Sequence, residues 1–377
     1  MKLAVVYRVI QGWRVPVFER LSQDKDFKVF YGCDFQNTKV VSAKGPFNFT
    51  TKKLHSIPLA YKKTNGNMLL PVSLGLFFEL VRFRPDVVLC EGASNFINNI
   101  SIFLYCKLFR KKMIQWGLGE IRGRKKSSIR KYLDPFIIPI EKRADAIVAY
   151  SSEGSKYYKK IGIEEKNIFV AVNVVDTEKR QSEIEAFRKT HHNVHNSQVF
   201  KVLFVGALEP NKNIDMLINS FKSFNSLYRD TELHIVGGGS DKLRLEQYVR
   251  QNEMYDSVIF HGKVDGALIN VVHDKDVFVM PGLGGLAVSD MLCHGIPVIC
   301  GIGDGCEKDL INGKNGIIDD ELNELKLFEY LKDLKMNPEK LKSMKVNASS
   351  TTEEHNISNY VQQINNAIEF VLEGKKN

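Results

Sequence analysis

Cysteine is scarce and scattered in this sequence. Its six cysteines in 377 residues (Cys33, Cys90, Cys106, Cys293, Cys300 and Cys306) form no Cys-x-x-Cys pair and no metal-ligand spacing. That argues against a zinc module and a disulfide framework and leaves reduced, mostly buried thiols. Long apolar runs are also lacking. The stretch from Met68 to Phe78 is interrupted by Pro71 and Gly75 and falls short of the roughly 20 residues of a spanning helix. The chain opens on the strand-like Lys2-Leu-Ala-Val-Val-Tyr7, without the apolar region and small-residue cleavage site of a secretory signal, so a cytoplasmic protein is expected. His191, His192 and His195 lie close together but have no carboxylate or cysteine companions at fixed spacing, and read as a solvated linker.

What is present is the composition of a soluble globular chain, 44% hydrophobic and 26% charged, and the length suggests two domains at about 150 residues each. Charge is unevenly divided. Lys and Arg outnumber Asp and Glu by 30 to 15 over residues 1–176, whereas the remainder carries 23 against 29. The excess peaks between Lys107 and Lys131, where Arg122, Arg124, Lys125 and Lys126 are interleaved with Trp116, Ile121 and Tyr132. Basic residues beside an anionic leaflet contribute about 1 kcal/mol each, so an anionic membrane surface is the expected partner. Nucleic acid is not expected, because no helix-turn-helix, RNA-binding aromatic motif or zinc finger accompanies the charge.

Short β-branched runs alternate with helical stretches, the pattern of parallel sheets wrapped by helices. Strands are expected at 2–7, 27–31, 86–89, 113–116 and 146–149, and again at 201–205, 232–236, 258–261, 277–280 and 297–300. The polar stretch 176–197 reads as helix and then linker between an N-terminal domain, 1–180, and a second domain, 198–355. Pro16 suits the first turn of a helix after strand one, which leaves Arg8 and Arg14 in a loop at the carboxyl edge, where open α/β sheets place ligands. Glu91 and Trp116 end two other strands at that edge. Both are candidates for an acceptor side, with Glu91 as a proton acceptor.

The second half carries more specific motifs. Val202-Leu-Phe-Val-Gly-Ala-Leu-Glu-Pro-Asn-Lys-Asn213 is a strand ending in Gly206 that delivers Lys212, a phosphate partner, near the next helix. Leu233-His-Ile-Val-Gly-Gly-Gly-Ser-Asp241 is a strand followed by glycines, Gly238 and Gly239 among them, that allow close backbone approach. From Val277 to Ile299 run a buried strand, a glycine loop, a helix and another strand. Amides at Gly284, Gly285 and Leu286 would face a diphosphate at the helix N-terminus, and Asp290, one turn on, would accept from ribose hydroxyls. Asp24-Lys-Asp26 and Asp274-Lys-Asp276 resemble metal-binding Asp-x-Asp, but the latter abuts a buried strand and reads as a solvated junction. No metal and no cofactor are expected.

These motifs in this order, with His261-Gly-Lys-Val264 adding Lys263 and Val264, resemble the retaining glycosyltransferases of family four (glycosyl transferases group 1), of the type that builds bacterial envelope or surface polysaccharides. The resemblance runs from about residue 2 to 320. It implies a GT-B fold: two Rossmann-like domains with parallel sheets facing across a cleft, acceptor in the first and nucleotide-sugar donor in the second, with a final helix, 356–377, returning to the first. It further implies a metal-independent transfer, with retention, from a nucleotide sugar (UDP-sugar favoured) to a lipid-linked or cell-surface glycan. Such an enzyme would sit peripherally on the inner face of the cell membrane, with Lys212 stabilising the leaving diphosphate. The family's two glutamates, eight positions apart around the glycine loop, correspond to Gly282 and Asp290, and its frequent basic residue after the strand glycine to Ala207. A catalytically inactive GT-B scaffold and a GT-B sugar-nucleotide epimerase are the alternatives.

Overall fold

A computed structural model describes residues 1–32, 42–63, 66–120, 128–191, 198–264, 266 and 268–374. The chain divides into two compact units, Met1–Val172 with Ser358–Asn377, and Asn173–Ile357. In the first unit β1 (Lys2–Tyr7), β2 (Asp26–Tyr31) and β3 (Thr50–Lys53) are followed by a separate antiparallel hairpin of β4 (Ser56–Lys63) and β5 (Gly66–Ser73), and then by β6 (Val87–Glu91), β7 (Lys112–Gly117), β8 (Ala146–Ala149) and β9 (Ile168–Val170). Seven of these form one parallel sheet in the order β3-β2-β1-β6-β7-β8-β9. The central strands are continuous apolar runs because both faces are covered: Val87, Val88, Leu89 and Cys90 are all fully buried. The chain enters mid-sheet at β1, winds to one edge, returns at β6 and winds to the other. The topological switch therefore lies between β1 and β6.

The last helix, Ile357–Glu373, carries buried Ile357, Tyr360, Val361, Ile364, Ala367, Ile368 and Val371. Their spacing of three and four makes one apolar stripe, and nearly all of the helix belongs to the first unit.

The second unit holds β10 (Phe200–Val205), β11 (Thr231–Val236), β12 (Val258–Gly262), β13 (Val277–Met280), β14 (Val298–Cys300) and β15 (Gly316–Ile318), all parallel in the order β12-β11-β10-β13-β14-β15. Its switch lies between β10 and β13. The helix Thr177–Thr190, whose first turn is capped by the Asp176 carboxylate accepting from the Lys179 amide, is part of this unit. The contacts thus divide the chain at Val172/Asn173, ahead of residue 180.

Candidate functional site

Three loops leave the carboxyl ends of β10, β11 and β12 and are laced backbone to backbone. The Gly206 amide donates to Val236 O (3.0 Å), Leu208 to Gly238 O (3.0 Å), Gly237 to Gly262 O (2.7 Å) and Asp241 to Leu208 O (3.0 Å). This lacing accounts for the glycine triplet. At Gly237, where φ is +138°, a Cβ would overlap the Gly206 carbonyl oxygen, and at Gly239 it would overlap that of Leu208; at Gly238 it would meet nothing within 4 Å. The steric demand falls on Gly239 and on Gly237, which sequence reasoning missed, rather than on Gly238. Lys263 and Val264 follow β12 at the same edge, the first exposed and the second half-buried.

At the switch between β10 and β13 the loops converge further. The short turn Pro210–Lys212 lies against the glycine loop, where the Lys212 ammonium donates to the Leu283 carbonyl. A Cβ on Gly282 would overlap the Asn211 carbonyl oxygen and come within 2.9 Å of Lys212 Cα. Glycine at 282 is therefore a consequence of packing: the β10 loop occupies the space a side chain needs. Gly285, with φ +62°, precedes the helix Leu286–Cys293, and no side chain caps that helix. Among the described residues no side chain accepts from its first amides, which makes them a ready anion site beside a lysine.

Asp290, on the same helix and 8% exposed, is held from the Thr177–Thr190 helix. Arg180 Nε donates to its Oδ1 (2.8 Å) and Nη2 to its Oδ2 (3.1 Å), while Arg180 Nη1 binds Glu183 (2.7 Å). A carboxylate offers about four lone-pair positions; Arg180 uses two of them, so a ribose would meet an aspartate already fixed and half-engaged. Asp274 and Asp276 are also engaged, Asp274 by Lys201 (2.5 Å) and Lys275, and Asp276 by Lys345 (2.7 Å).

In the first unit, Arg8 at the end of β1 meets Glu91 at the end of β6, across that sheet's switch. Arg8 Nη2 lies 2.6 Å from Oε1, its Nε donates at 2.9 and 3.0 Å, and its backbone amide adds a bond at 3.2 Å. Ser94 Oγ donates to the same carboxylate at 2.9 Å. Burial alone would raise the Glu91 pKa, but the guanidinium and these donors hold it below the usual carboxylate value. So engaged, Glu91 is a weaker base than a free carboxylate, and it orients Arg8.

Arg14 is 3% exposed and lies over the rings of Trp116 (4.5 Å) and Tyr150 (4.8 Å), and its Nη1 donates to the Tyr360 hydroxyl. Trp116 is fully buried, so its indole is the floor beneath Arg14 rather than an exposed wall. Arg122, Arg124, Lys125 and Lys126, with His192, His195 and Cys33, lie outside the described residues.

Residues 187–351 match the glycosyl transferases group 1 family. An uncharacterized glycosyltransferase of Methanocaldococcus jannaschii is 27% identical over 256 residues, 64% of this chain and 64% of its own length. The alpha-monoglucosyldiacylglycerol synthase of Acholeplasma laidlawii is 23% identical over 237 residues, 62% of this chain and 57% of its own. The chain thus spans less than two thirds of the length of either relative. In fold it is similar to the solved structure of Anabaena HepE in complex with UDP, with a TM-score of 0.74 over 98% of this chain and 100% of that one at 15% identity. Most of the second unit thus matches the glycosyl transferases group 1 family, and the chain as a whole has the GT-B fold of two parallel-sheet units.

Proposed function

We propose that this glycosyltransferase moves a sugar from a nucleotide donor, a UDP-sugar for preference, to a lipid-linked or cell-surface glycan, with retention at the anomeric carbon and no metal. The observation that carries the donor half is the convergence, at the second unit's switch, of Lys212 with the uncapped amides of the Leu286–Cys293 helix. A nucleoside diphosphate leaving from there meets a cation and aligned N–H dipoles as its charge develops, which is the chemistry a metal supplies elsewhere. UDP is favoured because HepE was solved with it, and a lipid acceptor because the Acholeplasma relative is named for a glucosyldiacylglycerol. Docking on the anionic inner face of the membrane follows from the basic first half.

The test is a panel of nucleotide sugars read by released nucleotide with lipid extracts as acceptor. Turnover should persist in excess EDTA, and Lys212→Ala should lower kcat/KM on the order of 10²-fold. Restoration of activity only by added manganese, or a near wild-type Lys212→Ala, would overturn the metal-free site. UDP binding with no turnover on any donor would favour the scaffold reading.

Reinstating the family's glutamate is expected to harm the site. Gly282→Glu forces the Asn211 carbonyl away, an overpacking that destabilises by about 1–3 kcal/mol and displaces Lys212 with it. UDP affinity by calorimetric titration should fall at least about tenfold, the effect of losing roughly 1.4 kcal/mol; unchanged or tighter binding would show that the two loops part freely.

A further inference from the structure

Glycine at 282 leaves the glycine loop without a carboxylate of its own, and the neighbouring loop brings one to it. The segment between β14 and the turn Glu307–Leu310 lies along the β13 loop: the Gly301 amide donates to Met280 O at 3.1 Å, and a Cβ on Gly301 would come within 2.8 Å of Pro281 O. This closeness positions Asp304, whose Oδ2 lies 3.8 Å from where a Cβ of Gly285 would stand. The other oxygen, Oδ1, accepts a long bond, 3.4 Å, from the Cys306 amide, and the carboxylate also shares a side-chain hydrogen bond with Glu307. Asp304 is half-buried, and among the described residues it forms no ion pair with a lysine, arginine or histidine.

Behind it stands Glu307, 4% exposed, both of whose oxygens accept from the Gly305 amide (3.0 and 3.1 Å). Burial first, and the Asp304 charge second, push the Glu307 carboxyl up to about 7. Glu307 thus supports the shape of the loop and supplies no cation. A carboxylate in this place repels phosphate, whereas the lone pairs that Glu307 and the Cys306 amide leave open suit hydroxyl donors, and a sugar linked to a diphosphate at the Gly285 and Leu286 amides brings hydroxyls to the same loop.

We propose that Asp304 is a specificity-determining residue for the donor sugar, its Oδ2 accepting hydrogen bonds from sugar hydroxyls beside the Gly285 turn of a glycine loop in which Gly282 offers no side chain. This rests on the donor reading given above. The discriminating experiment compares Asp304→Asn and Asp304→Ala with the wild type for UDP affinity and for kcat/KM on UDP-glucose, UDP-galactose and UDP-N-acetylglucosamine.

UDP affinity should stay within about twofold in both variants, which also reports an intact fold. Loss of hydrogen bonds to a charged acceptor should lower kcat/KM for the preferred donor about 10- to 100-fold. The glucose-to-galactose preference should move toward unity, a change that a merely structural role does not produce. Wild-type rates and preferences in Asp304→Ala would overturn the assignment while leaving the donor reading intact, and so would a loss of UDP affinity equal to the loss of turnover. A wild-type chain that binds no UDP and uses none of the donors would overturn the donor reading and this assignment together.

Discussion

Arg180→Ala is expected to destabilise the second unit by about 3 kcal/mol, because it leaves the Asp290 carboxylate buried without its guanidinium. Asp290 is 8% exposed, and the nearest other cationic candidate, His294 Nε2, is 3.6 Å from Oδ1 and makes no hydrogen bond. Removing both partners should be milder than removing one: Arg180→Ala with Asp290→Ala deletes the orphaned charge, so the double variant should lose less than the sum of the single variants, with a coupling of about 1–3 kcal/mol.

The measurement has a built-in reporter of location. Both tryptophans of the chain, Trp13 and Trp116, lie in the first unit, so in urea the fluorescence transition follows that unit while circular dichroism follows both. The Arg180→Ala loss should appear as an earlier dichroism transition with the fluorescence midpoint unmoved. Coincident wild-type transitions in both probes would mean the pair contributes nothing measurable.

This pair also marks where sequence reading ends. Both wound sheets are legible because their central strands are apolar runs bounded by glycine and because strands buried on two faces leave that signature. β3 (Thr-Thr-Lys-Lys) is polar, and β9 and β15 are three residues long; edge strands this short or this hydrophilic carry no periodicity to read. At the site, the glycine loop and Lys212 are visible as local motifs. The Arg180–Asp290 pair spans 110 positions and the Arg8–Glu91 pair 83, and no local spacing encodes such meetings. The sequence likewise shows three glycines in a row, but only the lacing of β10 to β11 shows that Gly237 and Gly239, and not Gly238, are sterically required. Gly282 is the sharpest instance: read alone it is a missing glutamate, whereas in the fold it is the residue that lets the Lys212 loop close on the glycine loop.

Neutralising Arg122, Arg124, Lys125 and Lys126 together is expected to abolish binding to vesicles of anionic phosphatidylglycerol, the largest effect anticipated for this chain. Four basic residues near an anionic surface contribute about 1 kcal/mol each, and their loss amounts to roughly a thousandfold in partition. The residues lie in the first half, where Lys and Arg outnumber Asp and Glu by 30 to 15, and the attraction proposed here is electrostatic at a surface. UDP affinity should be unchanged, because Lys212, the glycine loop and Asp290 all belong to the second unit. Salt supplies an independent arm: near 1 M the screening length shortens to about 3 Å, so the unaltered protein should also leave the vesicles, while neutral phosphatidylcholine vesicles should not retain it at any salt. Sedimentation that survives both the substitutions and the salt would show that the basic stretch is a solvated face, and would remove the physical support for a membrane-held acceptor while leaving the donor site as it stands.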